Sequence, residues 1–224
     1  MATDDQARHV AIIMDGNARW AAKNDLPVLE GHREGARTLK RTIRDAKALG
    51  IVELTAFAFS TENWTRPPWE VSGLMEMFGE LIDSEVPELH EEEVRLRFLG
   101  RRDRITAGLL EKIEWAEELT GRHLERTVFI AFDYGGRAEI LDAARAYQGG
   151  GEEEFRRCLY AGDMQDPDLV IRTSGEQRLS NFLLWQSAYS ELYFSQKLWP
   201  DFDRDELAAA LAEYTSRQRR FGAR

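Results

Sequence analysis

Short apolar runs alternate along this chain with stretches whose apolar residues recur every three or four positions. His9-Val-Ala-Ile-Ile-Met14 has no internal periodicity, the pattern of a strand buried on both faces. Helical sequence follows at Asn17–Lys23 and Gly35–Leu49, with Gly50 placed to end the second helix. Ile51–Ser60 is a second strand. From Val71 to Glu93, Val71, Leu74, Met75, Phe78, Leu81, Ile82 and Leu89 define one apolar face of a long helix, which Pro87 is expected to kink or break. Strands at Val94–Leu99, Thr127–Asp133, Asp168–Arg172 and Glu191–Ser195 complete the set. Helices at Arg104–Glu118, Arg137–Ala146, Glu152–Tyr160 and Arg204–Arg219 lie between or after them.

Six strands alternating with helices predict an α/β fold: a single domain over residues 1–224, with a central, mainly parallel six-stranded sheet flanked by helices. Six strands are too few for an eight-stranded barrel. No Ser/Pro-rich linker or internal repeat divides the chain.

Composition narrows the class. Hydrophobic residues are 43% and charged residues 31% of 224, which fits a globular protein with a sizeable core and excludes disorder. Thirty Lys+Arg against forty Asp+Glu leave −10, the wrong sign for an electrostatically driven nucleic-acid binder. The one cysteine, Cys158, excludes an intrachain disulfide and suits a reducing compartment, so a cytoplasmic location is expected. No apolar run approaches the roughly 20 residues of a membrane span; peripheral contact with a membrane stays compatible.

Several familiar chemistries are missing. The chain has no phosphate loop, no dinucleotide-binding glycine turn and no Gly-x-Ser-x-Gly elbow. Its four histidines, at 9, 32, 90 and 123, lack zinc-protease spacing. Any active site must therefore be built from scattered strand ends, where ligands of parallel α/β sheets bind.

Three such ends carry suitable groups. Asp15-Gly16-Asn17-Ala18-Arg19-Trp20 follows the first strand and opens a helix. Asp15 there is either a helix cap or a ligand to a divalent cation that also holds a phosphate. Phe59-Ser60-Thr61-Glu62-Asn63-Trp64-Thr65-Arg66 follows the second strand. Arg172-Thr173-Ser174-Gly175-Glu176-Gln177-Arg178-Leu179-Ser180 follows the fifth, with arginines and serines suited to phosphate oxygens. Glu191, on the sixth strand, is a candidate to share a metal with Asp15. The ligand expected is a phosphate ester or diphosphate with Mg²⁺. Phe57, Phe59, Phe129, Phe132 and the apolar face of the long helix are either core or the lining of an apolar tunnel beside that helix.

Longer segments sharpen this reading. HVAIIMDGNARWA (9–21), GHREG (31–35), AFAFSTENWTRP (56–67), YGGR (134–137), DLVIRTSGEQRLSNFLLWQSAYSELYF (168–194), LWPDF (198–202) and RRFG (219–222) resemble, in order, the cis-prenyltransferases of the undecaprenyl diphosphate synthase type. The resemblance covers nearly the whole chain. It implies a homodimeric, Mg²⁺-dependent enzyme that condenses isopentenyl diphosphate with an allylic diphosphate, such as geranyl or farnesyl diphosphate, into a cis-polyprenyl diphosphate.

By the same resemblance, the metal falls on Asp15 and Glu191, and the catalytic roles on Asp15 and Asn63. Substrate contacts fall on Gly16, Asn17, Arg19, Trp20, His32, Phe59, Ser60, Trp64 and Arg66. The isopentenyl diphosphate site falls on Arg172, Arg178 and Ser180. Arg220 reaches the other subunit's site. Two alternatives are a same-fold synthase with altered coupling, such as the joining of two five-carbon units, and a non-catalytic partner subunit that binds a prenyl ligand.

Three positions depart from the family pattern: Ala18 for a glycine, Gln177 for a histidine, and Val28 for an arginine that contacts diphosphate. Loss of that charge-assisted hydrogen bond is worth about 1.5–3 kcal/mol, and Arg33 or Arg37 is the expected substitute. Three bulky aromatics facing a tunnel, Phe57, Phe129 and Phe132, would favour a short or medium product.

Overall fold

The computed structural model describes residues 6–217. The elements are β1 (His9–Ile13), α1 (Asn17–Lys23), α2 (Val28–Ala48), β2 (Glu53–Ser60), α3 (Pro68–Glu91), β3 (Arg95–Leu99), α4 (Ala107–Thr120), β4 (Thr127–Tyr134), α5 (Gly136–Ala146), α6 (Glu152–Arg156), β5 (Leu169–Arg172), β6 (Glu191–Phe194) and α7 (Arg204–Ser216), with 3₁₀ turns at Thr61–Thr65 and Trp199–Asp201. The strands form one parallel six-stranded sheet in the order β3-β4-β2-β1-β5-β6. Every residue of β1, β4 and β5 is buried, which explains why their sequences carry no alternation.

Two compact units make up the chain: residues 1–55, 166–178 and 186–224, and residues 56–165 with 179–185. In the first, Ile13 is level with Arg172 at the ends of β1 and β5, and Arg172 is level with Phe194 at the end of β6. Loops carrying Asp15 and Ser174 therefore leave the same edge. In the second, β3 and β4 pair from Arg95↔Thr127 to Leu99↔Ala131.

α2 begins at Val28, seven residues before the helix expected from the sequence. Gly31 and Gly35 are packing positions inside this helix. A Cβ on Gly31 would lie 2.2 Å from the Asn17 carbonyl oxygen, and one on Gly35 would lie 2.5 Å from Asn17 Oδ1. The glycines let α1 lie directly against α2, and the Gly35 carbonyl accepts from the buried Trp199 indole at 2.8 Å. α3 runs through Pro87 without a break. It follows Pro67-Pro68, whose fixed φ and missing donors suit a helix start. Among the described residues no helix is long and apolar enough to cross a membrane.

Candidate functional site

Asp15 is not a helix cap. Gly16 occupies that position, with φ +116°, and no side chain caps α1. Gly16 has the conformation that favours glycine, and a Cβ there would also meet Leu198 at 3.0 Å. The Asp15 backbone is pinned by Thr173, which is fully buried. The Asp15 N–H donates to Thr173 Oγ1 at 2.9 Å, and the same hydroxyl donates to the Asp15 carbonyl at 2.6 Å.

This leaves the Asp15 carboxylate to face cations. Arg172 Nη2 donates to Oδ2 at 2.8 Å, and Arg19 Nη2 donates to Oδ1 at 3.1 Å. Burial by itself raises the Asp15 pKa, but the hydrogen bonds and charges of Arg172 and then Arg19 outweigh it and hold the carboxyl below 3.8. Arg19 also donates to Ser174 Oγ at 2.5 Å and to Glu176 at 3.5 Å. Glu176 pairs with Arg178 at 2.5 Å, and the Arg178 carbonyl accepts from Arg172 Nη1 at 2.5 Å. Ser174 and Gly175 both have positive φ, which turns the loop back on itself. Three arginines and two carboxylates thus form one network, with Arg172 buried and Arg19 and Arg178 open to solvent. An excess of cations around exchangeable carboxylate partners is suited to a polyanionic ligand.

Asn17 and His32 stand together, with Asn17 Nδ2 and His32 Nδ1 3.4 Å apart. Trp20 donates its indole N–H to Asp201 at 2.8 Å. Val28 is the first residue of α2. Arg33 and Arg37, the expected replacements for an arginine there, are turned outward and pair with Glu30 and Glu34 of their own helix.

Glu191 does not join Asp15 within the chain. It is level with Leu169 at the start of β6, whereas Asp15 follows the far end of β1. About 10 Å of strand separates the two levels. Glu191 instead accepts from Arg217 at 2.8 Å. Period-two patterning cannot show which end of a short strand faces a site. Arg220 lies outside the described residues.

The second unit holds the remaining candidates. Ser60 and Asn63 form a reciprocal cap on the 3₁₀ turn, with the Ser60 N–H donating to Asn63 Oδ1 at 3.0 Å. The Trp64 indole N–H donates to Asp133 Oδ1 at 2.8 Å, and its ring packs edge-on against buried Phe59 at 5.3 Å. Arg104 lies over the Trp64 ring at 5.2 Å and is paired with the fully buried Asp133. Sequence reading missed this brace, because residues 104 and 133 are far from 64 in the chain and no local pattern links them.

Arg66 pairs with Glu70 at 3.0 Å. Ser180, Asn181 and Leu183 all have positive φ. Asn181 anchors that turn by accepting from the Arg137 N–H and donating to Glu62, each at 2.9 Å. Burial raises Glu62, but the Asn181 bond and its other hydrogen bonds prevail and lower its pKa.

The three aromatics do not share a face. Phe132 packs against Phe78 of α3 at 4.3 Å and Phe59 at 5.5 Å. Phe129, three residues earlier on β4, points to the opposite face beside Arg97. Phe57 stacks on Phe182 at 4.6 Å.

Among the described residues no group of three or more His, Cys, Asp or Glu side chains could hold a metal ion alone. Asp15 supplies a single carboxylate beside cations. That donor set suits Mg²⁺, which keeps most of its coordination for water and phosphate oxygens.

Comparison with known proteins agrees with this chemistry. The family model described as "Putative undecaprenyl diphosphate synthase" matches residues 13–222. An isoprenyl transferase of Thermotoga maritima is 53% identical over 224 residues, covering 96% of each chain. One of Neisseria gonorrhoeae is 50% identical, covering 96% of this chain and 89% of its own. Lavandulyl diphosphate synthase from Lavandula x intermedia, solved with dimethylallyl diphosphate, superposes with a TM-score of 0.94 at 36% identity, covering 98% and 100%. A "probable undecaprenyl diphosphate synthase" from Campylobacter jejuni superposes at 0.83 with 33% identity, covering 97% and 99%. The chain is a prenyltransferase and belongs to the undecaprenyl diphosphate synthase family.

Proposed function

We propose that the enzyme condenses isopentenyl diphosphate with an allylic diphosphate, such as geranyl or farnesyl diphosphate, to give a cis-polyprenyl diphosphate of short or medium length. The observation that carries this reading is the Asp15–Arg19–Arg172–Glu176–Arg178 network, whose arginines are held by carboxylates that an incoming diphosphate can replace. Arg19 stabilises negative charge that grows on the diphosphate leaving the allylic carbon, while Arg172 and Arg178 orient the isopentenyl diphosphate. Mg²⁺ held by Asp15, when bound, would neutralise part of the same charge. Asn17 and His32 add side-chain hydrogen-bonding groups near the start of α1.

The new carbon–carbon bond forms as the isopentenyl double bond attacks the allylic carbon, and one proton must then leave. The Ser60 hydroxyl and the Asn63 amide are weak bases beside a diphosphate, and each already accepts one hydrogen bond in the reciprocal cap. A diphosphate oxygen is the acceptor we assign, with Asn63 positioning the loop. In the second unit we assign the limit on chain length to the packed cluster of Phe132 with Phe78 and the buried Phe59. Phe129, on the opposite face of β4, is not part of that limit. The working enzyme is a homodimer.

A second reading, coupling of two five-carbon allylic units, is favoured by the likeness to lavandulyl diphosphate synthase bound to dimethylallyl diphosphate. Calorimetric titration separates the binding roles. Arg172→Gln should weaken isopentenyl diphosphate binding by at least about tenfold, as loss of a charge-assisted hydrogen bond requires. Unchanged affinity would remove Arg172 from the site.

A further inference from the structure

We propose that the outward face of α2 docks the enzyme on an anionic lipid bilayer. Arg33, Arg37, Lys40, Arg44 and Lys47 are spaced by four, three, four and three residues. At 3.6 residues per turn they fall within an arc of about 80° and form a row about 21 Å long. No acidic residue lies inside that arc: Glu30, Glu34 and Asp45 flank it on one side, with Arg41 among them. Of the buried residues, Gly31, Gly35, Thr38, Thr42 and Ala46 occupy the opposite side, and Ile43 lies about 40° beyond the Lys47 edge of the arc.

The row stands out against the rest of the protein. α2 carries six basic and three acidic residues, whereas the remaining chain carries 24 basic and 37 acidic ones. Arg33, Arg37 and Arg41 are about half or more exposed and pair with Glu30 and Glu34 of their own helix. Exposed pairs of this kind are worth little and can be exchanged for lipid phosphates. Leu26, 42% exposed, lies just before the helix and supplies an apolar tip to enter the interface.

A straight row of cations matches a planar anionic surface. The basic row of α2 carries no aromatic residue on which bases could stack, which disfavours single-stranded nucleic acid as the partner. The choice of lipid rests on the proposed product, an amphiphile that partitions into bilayers.

Co-sedimentation of the full chain with vesicles tests this without substrate, so its outcome is independent of catalysis. One vesicle is pure phosphatidylcholine; the other contains one-third phosphatidylglycerol. Binding to the anionic vesicles should exceed binding to the neutral ones at least about tenfold and be reversed by high salt. Arg37→Glu with Arg44→Glu should lower it by at least about tenfold. Should that variant misfold by circular dichroism, Arg37→Gln with Arg44→Gln should give a smaller loss in the same direction. Equal binding to both vesicles, binding that survives the double substitution, or preferential capture of polyuridine over anionic vesicles would overturn the proposal.

Discussion

Asp15→Asn tests how the diphosphate network is balanced. In the wild type three arginines face two carboxylates, and Asp15 is the side-chain carboxylate that Arg172 meets directly. Arg172 is only 6% exposed, so removing the charge beside it leaves a poorly hydrated cation. Loss of one member of a fully buried pair costs about 3–5 kcal/mol. Asp15 is 28% exposed and Arg19 48% exposed, so water can enter, and the expected cost falls to about 2–3 kcal/mol. For a chain of this size that is roughly a 4–12 °C drop in Tm.

Calorimetric or fluorescence unfolding with and without inorganic pyrophosphate reads the effect. Pyrophosphate should restore more stability to the variant than it adds to the wild type, because it supplies the missing negative charge. The pH dependence has a defined sign. The folded Asp15 pKa is depressed, so its contribution is present above the unfolded value of about 3.9 and is lost as pH falls through the folded value. The stability gap between wild type and variant should therefore be full at neutral pH and shrink below about pH 4. A variant as stable as the wild type at pH 7, or a gap that widens in acid, would refute the reasoning.

Gly31→Ala gains helix propensity of about 1 kcal/mol, but its methyl group would meet the Asn17 carbonyl oxygen, and overpacking costs about 1–3 kcal/mol. A net fall in Tm is expected, and a rise would show that α1 can shift freely. Arg104→Gln should destabilise by about 2–3 kcal/mol in chemical unfolding, because the fully buried Asp133 loses its cation. Phe132→Ala should lengthen the products resolved by chromatography, while Phe129→Ala should leave length unchanged. Each costs about 3–5 kcal/mol in stability, so the contrast reports direction of facing and not general loosening.

The order and type of the elements were readable because buried parallel strands and amphipathic helices differ in apolar period. Misreadings arose where a residue's purpose is tertiary. The first turns of α2 were missed because Gly31 and Gly35 serve a contact with Asn17, which is a whole turn and loop away in the chain. The Asp15 and Arg172 loops were legible as polar strand ends, yet their direct pairing depended on β1 and β5 being neighbours. Which end of β6 carries Glu191 was not legible, because a four-residue strand has two ends and sequence names neither. The Asp133–Arg104 hold on Trp64 had no local signature at all. Phe129 and Phe132 illustrate the converse: their spacing of three on a strand already implied opposite faces.

The most direct test of the account is a product assay. Purified enzyme is incubated with Mg²⁺, radiolabelled isopentenyl diphosphate and, separately, five-, ten- and fifteen-carbon allylic diphosphates, with Asp15→Ala in parallel. Products are resolved by chain length and double-bond geometry. The account predicts cis-extended diphosphates from at least one starter and loss of turnover in Asp15→Ala. No incorporation with any starter by a folded wild-type protein, or substantial turnover in Asp15→Ala, would contradict it.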